Sequence, residues 1–294
     1  MVTYPGAGSR KMNVMIRLLI TALCLAGFLA LHPAACRAAP PPDSTRAEFL
    51  AVSLNIWHDA ENWPGRMAII RDTLRALRPD VVLLEEVLQK EGLPNQAGTL
   101  ADSLGYAWMF TSVDPPGAPK RYGNAILTRH PILETHEVKL APLDDYRVAG
   151  HARLQLGERV LDVFVTHLHH TPEGTAIRAS QVEGILAFID STRVPGGAFL
   201  FGGDLNAAPD AAELSPVRNR LIDTYAILRP DQSDTTITTL NVARGLPARR
   251  IDYLFLERGH LETTASGIFL DSPTSDGLYA SDHFGVWARF RWVE

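Results

Sequence analysis

The sequence predicts an α/β protein of the α+β type, in which two mixed β-sheets pack face to face and helices flank them. Apolar strand-like runs recur along the chain, and amphipathic helical segments lie between some of them. The first third reads as strand, helix and strand, whereas the later part is rich in strand pairs. A purely parallel, doubly wound sheet does not explain those pairs. Two mixed sheets with helices outside would bury both kinds of apolar surface.

The predicted strands are runs rich in β-branched and aromatic residues, which favour extended backbone. No repeat period or low-complexity stretch interrupts the chain after its prolines at 40–42. Residues 40–294 are therefore expected to form one domain with a sizeable core. In chain order the predicted strands cover residues 49–57, 80–87, 124–128, 160–167, 198–205, 250–256 and 284–292.

Three helices are predicted from apolar residues at helical spacing. The first has an apolar face formed by Met67, Ile70, Leu74 and Leu77, and Pro79 ends it. Arginines lie on its other face, as expected for a helix that covers a sheet. The other two predicted helices span residues 175–190 and 216–228.

The first 39 residues have the pattern of a secretory signal peptide. Arg10, Lys11 and Arg17 flank an apolar run at 18–31, and small residues follow at 34–39. That run is shorter than the roughly 20 residues needed to cross a bilayer. We therefore expect cleavage near Ala39 and an exported protein, periplasmic or extracellular.

Both cysteines, Cys24 and Cys36, lie inside this leader. Residues 40–294 can form neither a disulfide nor a thiolate metal site, so a bound metal would need oxygen or imidazole ligands. Cys36 resembles the acceptor of a bacterial lipoprotein only weakly, because Pro33 stands where a branched aliphatic residue is typical. A lipid anchor is not expected.

The net charge argues against general attraction to polyanions. The whole chain has a formal charge of -5, and its leader holds four basic residues and no acidic ones, so residues 40–294 carry about -9. Strong nonspecific binding to nucleic acid is not expected of such a surface. Basic residues around a cleft, or a metal ion, can still hold a phosphate group.

Polar residues capable of chemistry stand at the ends of five predicted strands. A single one would be an ordinary loop or capping residue, but so many carboxylates at one rim would repel each other without a cation between them. Oxygen ligands select a hard ion, namely magnesium, manganese or calcium. The strand-end residues are Glu85 with Glu86, His167, Asp204 with Asn206, Asp252, and Asp282 with His283.

An ordered set of motifs resembles the endonuclease/exonuclease/phosphatase superfamily over nearly all of residues 40–294. The resemblance implies a four-layer αββα sandwich and metal-dependent hydrolysis of a phosphoester. The motifs are Leu54-Asn55-Ile56-Trp57, Leu84-Glu85-Glu86-Val87, Tyr122-Gly123-Asn124-Ala125-Ile126-Leu127, Thr166-His167-Leu168, Gly203-Asp204-Leu205-Asn206, Arg250-Ile251-Asp252-Tyr253 and Ser281-Asp282-His283.

Carried over position by position, the resemblance gives Glu86 as the main metal ligand, with Asn55 and Asp282 beside it. Magnesium is the expected ion, with manganese or calcium as alternatives. Asp204 and Asn206 would face the attacking water and the phosphate, and the period of two in a strand places both on one face.

The two histidines are expected at the scissile group. His283 would contact the phosphate while Asp252 orients its ring, and His167 would be the second histidine. The general base is left open among Asp204, His167 and His283, with Asp204 or the His283–Asp252 pair favoured.

Two further residues match family positions near the phosphate, namely Arg147 and Tyr122, although either could be a plain surface or packing residue. One position departs from the family pattern. Glu85 stands where glutamine is common, and we expect it to be a solvated neighbour of Glu86.

The substrate class stays open at this point. Nucleic acid, a phospholipid head group such as that of sphingomyelin, and a soluble phosphomonoester all fit. A binding or maturation factor that keeps the fold without catalysis is the alternative from another class. No obligate protein partner is expected, and the protein is expected to be a monomer.

Overall fold

The computed structural model describes residues 48–230 and 237–293. The predicted signal peptide, residues 1–39, and its cleavage site lie outside the described residues. No helix within the described ranges has the length and apolarity needed to span a lipid bilayer. The helices are α1 (Trp63–Leu77), α2 (Gln96–Leu104), α3 (Thr175–Thr192) and α4 (Ser215–Arg220). The strands are β1 (Glu48–Asn55), β2 (Val81–Lys90), β3 (Ala107–Ser112), β4 (Lys120–Thr128), β5 (Ile132–Lys139), β6 (Val148–Leu156), β7 (Arg159–His167), β8 (Ala198–Asp204), β9 (Ile222–Asp223), β10 (Asp252–Leu256), β11 (Leu261–Phe269) and β12 (Gly285–Trp292).

The strands form two six-stranded mixed sheets, as the sequence predicts. The first has the order β11-β12-β1-β2-β4-β3 and the second β5-β6-β7-β8-β10-β9. Each sheet has one parallel pair at its centre, β1 with β2 and β7 with β8. The other pairs are antiparallel.

Three apolar layers hold four structural layers together, which confirms the αββα sandwich. Leu83, Val163 and Leu200 belong to the layer that both sheets share. On the outer face of the first sheet, Ile70 of α1 packs in a second layer, together with residues of α2. A third layer lies outside the second sheet and includes Ile185 of α3. Burial of this apolar surface is the main source of the fold's stability.

The parallel pairs fix where polar side chains can meet. Asn55 at the end of β1 pairs with Glu85, and His167 at the end of β7 pairs with Asp204. Helix α1 joins the first pair and α3 joins the second. Both crossovers therefore leave the carboxyl ends of their strands free to carry functional groups.

The predicted third helix, residues 216–228, is wrong beyond Arg220. Helix α4 ends there, and the chain continues as the short strand β9. The Asp223 side chain accepts hydrogen bonds from the backbone N–H groups of Tyr225 and Ala226, at 2.9 and 3.2 Å. Such a turn competes with helical hydrogen bonding, so the apolar spacing does not extend the helix.

Six elements do not follow from the sequence patterns, namely α2, β3, β5, β6, β9 and β11. Strand β5 is exposed at most of its positions, so it lacks the alternation of buried and exposed residues by which strands are recognised. Helix α2 spans only nine residues, too few for a clear helical period.

Candidate active site

A cleft of about 1420 Å³ opens at the carboxyl ends of the central parallel strands. Asn55 and Asp252 are fully buried beside it and reach the cleft only through neighbouring side chains. The predicted site residues that line it are Glu86, Tyr122, Arg147, His167, Asp204, Asn206, Asp282 and His283. The fold thus brings all ten predicted residues to one place.

A β-bulge in β2 turns Glu86 toward the cleft. Leu84 pairs with Ala125 and Val87 pairs with Gly123, so two residues of β2 oppose one residue of β4. Glu86 has φ 58°, in the left-handed region that side chains rarely adopt. This break in the alternation lets Glu86 line the cleft while its neighbour is buried.

The structure corrects the sequence-based prediction that Glu85 is a solvated neighbour of Glu86. The Glu85 side chain is fully buried and accepts a hydrogen bond from Ser53 Oγ at 3.0 Å. Burial, with the charges of Asp252 and Asp204, raises the pKa of Glu85 well above its ordinary value. This shift favours the neutral carboxyl group, which is close in shape and charge to a glutamine side chain.

Two glycines allow β8 to deliver Asp204. A Cβ on Gly203 would lie 1.9 Å from the carbonyl oxygen of Thr166, and Gly203 has φ 134°. A Cβ on Gly202 would lie 2.6 Å from the carbonyl oxygen of Tyr253. Only glycine permits this close approach of β7, β8 and β10.

Asn206 reaches the cleft by a different route from the predicted one. Strand β8 ends at Asp204, and Asn206 follows in a turn with φ 50°, so strand alternation does not place it. Its backbone N–H donates to Asp204 Oδ1 at 2.9 Å, and its Nδ2 donates to the carbonyl oxygen of Leu168 at 3.0 Å. These two bonds fix Asn206 beside Asp204.

Asn55 links the two acidic parts of the site. Its Nδ2 donates to Glu86 Oε1 at 3.2 Å and to Asp204 Oδ2 at 3.1 Å, while its Oδ1 accepts from the N–H of Trp57 at 3.0 Å. In this orientation Asn55 acts as a donor that positions both carboxylates. Its predicted part as a metal ligand stays a prediction.

His283 carries a charge that two carboxylates stabilise. Its Nδ1 is 3.0 Å from Asp252 Oδ2 and its Nε2 is 3.8 Å from Asp204 Oδ2. Burial by itself would lower the pKa of His283, but the charges of Asp252 and Asp204 raise it well above its ordinary value. His283 is therefore an imidazolium, and its two N–H groups serve as donors.

The environment of His167 favours the neutral imidazole, in contrast to that of His283. Its Nε2 is 3.3 Å from Asp204 Oδ2. Burial, with the positive charges of Arg147 and His283, lowers the pKa of His167 well below its ordinary value. The site therefore contains one neutral and one charged imidazole, on either side of Asp204.

Asp204, Asp252 and His283 place ligand atoms within 4.8 Å of one another, close enough to hold a metal ion. In the described arrangement His283 Nδ1 lies 3.0 Å from Asp252 Oδ2, so we interpret this group as a hydrogen-bonded relay. Burial and the charge of Asp252 raise the pKa of Asp204. A carboxylate with a raised pKa in a cleft is suited to accept a proton.

Glu86 and Asp282 are the two acidic side chains of the cleft that the sequence predicts as metal ligands. Both line the cleft, and neither forms an ion pair with a described Lys, Arg or His side chain. Burial raises the pKa of Asp282 against the opposing charge of His283, and the negative charge of Glu86 adds to the increase. Carboxylate oxygens are the kind of donor that magnesium, manganese and calcium prefer in proteins.

Arg147 and Tyr122 line the same cleft. Arg147 is 6% exposed, and its Nη2 lies 3.3 Å from His170 Nδ1, while no described carboxylate pairs with it. A buried cation without a counter-ion favours a bound anion. Burial and the charge of Glu86 raise the pKa of Tyr122, so its phenol stays a donor.

The segment 237–242 is part of the site, although the sequence patterns do not reveal it. Thr239 Oγ1 accepts from the N–H groups of Ile251 and Asp252, at 3.0 and 3.2 Å. The N–H of Asn241 donates to the carbonyl oxygen of Asp282 at 2.8 Å. These bonds hold the backbone at Asp252 and Asp282 in place, but a short irregular segment has no periodic signal.

Comparisons with known proteins bear on this arrangement. A profile of the Endonuclease/Exonuclease/phosphatase family matches residues 52–283. No curated protein matches the sequence. Among solved structures, a D. rerio TDP2 humanized by 14 mutations has a TM-score of 0.69 and 21% identity, over 83% of this chain and 99% of that chain.

Two other solved structures show the same similarity of fold. The human Nocturnin catalytic domain with bound sulfate has a TM-score of 0.66 and 22% identity, over 86% of this chain and 100% of that chain. An endonuclease/exonuclease/phosphatase family protein from Bacteroides thetaiotaomicron has a TM-score of 0.69 and 18% identity, over 84% and 98% of the two chains.

Proposed function

The chain belongs to the endonuclease/exonuclease/phosphatase family of phosphoester hydrolases, and we propose that it is an exported, divalent-metal-dependent enzyme that hydrolyses a phosphodiester bond. One observation carries the proposal. In a single cleft, the unpaired carboxylates of Glu86 and Asp282 lie beside Asp204 and the charged pair of His283 and Asp252. This combination serves both metal binding and proton transfer.

In this proposal, charged and neutral hydrogen-bond donors of the cleft bind the phosphate. Arg147 supplies an unpaired positive charge on the cleft wall, and the His283 imidazolium donates to a phosphoryl oxygen. Tyr122 and the amide of Asn206 are further neutral donors in the cleft. Donors placed in advance around a reacting anion stabilise the charge that builds on its oxygens.

Asp204 is our choice of general base. Water attacks phosphorus and passes a proton to Asp204, and the bond from phosphorus to the departing oxygen breaks with its electron pair going to that oxygen, which then takes up a proton from solvent. The pKa of Asp204 is raised, whereas His283 already carries its proton and so donates. The amide of Asn55 and the backbone N–H of Asn206 keep the Asp204 carboxylate in place.

Glu86 and Asp282 would hold the divalent cation, with Asn55 next to them. When bound, such a cation offsets the charge of the phosphate and of the departing oxygen. Magnesium is the first candidate and manganese the second, because the donors are oxygen atoms. The raised pKa of Asp282 supports this, since a cation would relieve the repulsion from Glu86.

Nucleic acid is one substrate class, and the neighbouring structures support it to a limited degree. D. rerio TDP2 has been solved with a single-strand DNA product. The cleft is lined by further acidic residues, among them Asp59 and Asp114, and by basic ones, among them Lys90, Lys120 and Arg249. This mixed charge is compatible with a single phosphodiester and with a polynucleotide.

The direct test is the release of p-nitrophenol from bis(p-nitrophenyl) phosphate by the purified protein, with magnesium, with manganese and with chelator. We expect metal-dependent release that Glu86→Ala and His283→Ala abolish. Inactivity of the wild type with every metal, on this ester and on DNA, RNA, sphingomyelin and inositol phosphates alike, would refute catalysis and favour a binding factor.

Export is tested separately, through the amino terminus of the protein recovered from a secreting host. A mature chain that begins near residue 40 supports the proposal. An intact chain that stays inside the cell contradicts it.

A further inference from the structure

Arg66 has an unusual place beside the site. Its side chain is 1% exposed, although it carries a guanidinium group. The guanidinium carbon lies 5.1 Å from the ring centre of Trp57 and 5.2 Å from that of Trp63, within the range of cation–π contact. It lies in the first part of α1, outside the cleft lining and outside the residues that the chemistry uses.

The guanidinium binds backbone carbonyl groups rather than a carboxylate. Nη1 donates to Ile56 at 2.6 Å and to Ala280 at 3.1 Å, and Nη2 donates to His58 at 2.9 Å. Within residues 48–230 and 237–293, no carboxylate forms an ion pair with it. The remaining carbonyl acceptors are those of Trp57 and Ala60.

These carbonyls belong to two segments that carry site residues. Four of them follow Asn55 in the loop between β1 and α1, and the fifth belongs to Ala280, two residues before Asp282. Ser281 Oγ donates to the carbonyl oxygen of Asn55 at 2.7 Å and gives a second link between the same segments. Arg66 thus connects chain positions 214 residues apart, from 66 to 280.

The loop that Arg66 holds is strained. Trp57, His58 and Glu61 have φ values of 55°, 33° and 50°, in a region that residues with a Cβ rarely adopt. Such conformations persist only where surrounding contacts impose them. The carbonyls of two of these three residues accept hydrogen bonds from Arg66.

Burying this cation costs free energy that apolar packing would avoid. Burial lowers the pKa of Arg66 to about 10, against the negative charges of Asp282, Asp59 and Glu86, which raise it. A planar guanidinium with five N–H groups serves several carbonyls at once, whereas the ammonium group of lysine has three. The geometry therefore requires arginine rather than any cation.

We propose that Arg66 is a positioning residue of the active site, which fixes Asn55 relative to Asp282 by clamping the backbone next to each. This role rests on the proposed function, because the two positioned residues are the predicted neighbours of the metal ion. Loss of the clamp would let the segment before β12 move away from the end of β1. The Mg²⁺ affinity and kcat would then decrease by a larger factor than the equilibrium constant for folding.

The experiment compares Arg66→Ala and Arg66→Lys with a matched control, Arg229→Ala. Arg229 also donates to backbone carbonyls, those of Tyr225 and Ser266, and stacks on the Tyr225 ring at 3.9 Å, but it does not line the cleft. For each protein we would measure Tm without metal, the Mg²⁺ dissociation constant by calorimetry, and kcat and KM on bis(p-nitrophenyl) phosphate.

Both Arg66 variants should weaken Mg²⁺ binding and lower kcat by about tenfold or more, with a smaller change in KM. Guanidinium chloride at millimolar concentration should restore part of the Mg²⁺ affinity of Arg66→Ala and none in the wild type. Arg229→Ala should lower Tm without altering either Mg²⁺ binding or kcat.

Two results would overturn the positioning role. One is wild-type Mg²⁺ affinity and kcat in a folded Arg66 variant, and the other is an equal loss in Arg229→Ala. If Arg66→Ala does not fold, Arg66→Lys decides by the same criteria. Wild-type protein that binds Mg²⁺ but has no activity, with weaker binding in the variants, would refute catalysis and leave the clamp standing.

Discussion

The His283 ring lies between two carboxylates at unequal distances, with Nδ1 3.0 Å from Asp252 Oδ2 and Nε2 3.8 Å from Asp204 Oδ2. The shorter contact fixes the ring and its charge, and the longer one leaves Nε2 free to turn toward a bound phosphate. In the proposed mechanism Asp252 is the orienting partner and Asp204 the reacting one.

Asp252→Asn should keep the shape of this pair and remove its charge. We expect kcat to fall by roughly 100-fold or more, because His283 loses the carboxylate that keeps it protonated and aligned. NMR titration should show a lower pKa for His283. Asp162→Asn is the matched control, since Asp162 is also buried and lies 2.8 Å from a histidine, His151, outside the cleft. It should lower stability and leave kcat unchanged, and an equal loss of kcat in both variants would contradict the assignment.

Glu85→Gln and Glu86→Gln should behave oppositely although they are neighbours. Glu85 is buried and its raised pKa favours the neutral form, so glutamine replaces it with little change in charge or volume. Glu86 lines the cleft and is the proposed metal ligand, so Glu86→Gln should raise the Mg²⁺ concentration for half-maximal activity by about tenfold or more. Initial rates measured against Mg²⁺ concentration distinguish the two. A Glu85→Gln variant that lost Mg²⁺ dependence would show that the bulge does not separate the two roles.

Gly203→Ala should be far more damaging than Gly196→Ala. Both glycines have positive φ, but only at Gly203 would the added Cβ meet backbone, 1.9 Å from the carbonyl oxygen of Thr166. At Gly196 nothing lies within 4 Å, so the cost should be about 1 kcal/mol of unfolding free energy. Urea denaturation should give a loss well above about 2 kcal/mol for Gly203→Ala, with loss of activity because Asp204 is displaced. Similar losses at the two positions would argue against this strand spacing.

Asp80 provides a pH-dependent contribution to stability away from the cleft. Burial opposes its ionisation, but hydrogen bonds from His130 and from the N–H of Leu50, with the charge of Arg129, lower the pKa of Asp80 below its ordinary value of 3.8. A group with a lowered folded-state pKa stabilises the protein above its unfolded-state pKa, and this contribution is lost as the pH falls through the folded-state value.

Asp80→Asn should therefore lower the free energy of unfolding at pH 7 by on the order of 1–3 kcal/mol. The difference from the wild type should shrink as the pH falls below about 4, where the wild-type carboxylate takes up its proton. Urea denaturation at pH 7 and near pH 3 measures both values. A difference that stays constant with pH would mean that the negative charge of Asp80 does not contribute to the free energy of unfolding.

The sequence predicts the site residues because polar side chains after apolar strand runs are unusual in number, and because both parallel pairs end at one edge. Glu86, His167 and Asp204 follow from that pattern. The burial of Glu85 does not, because the bulge beside it depends on pairing with β4. Arg66 reads as one more polar residue of an amphipathic helix, and its carbonyl partner at Ala280 is visible only in the folded chain.

The two sheets repeat one plan, since each has six strands with a helix-linked parallel pair in the third and fourth places. In this pseudo-symmetric frame Asn55 corresponds to His167 and Glu85 corresponds to Asp204, the last paired residues of each parallel pair. One half keeps its acid at the cleft, whereas the bulge in the other buries that acid and presents Glu86 instead. A single inserted residue thus breaks the symmetry, and in the proposed function one half supplies proton transfer and the other cation binding.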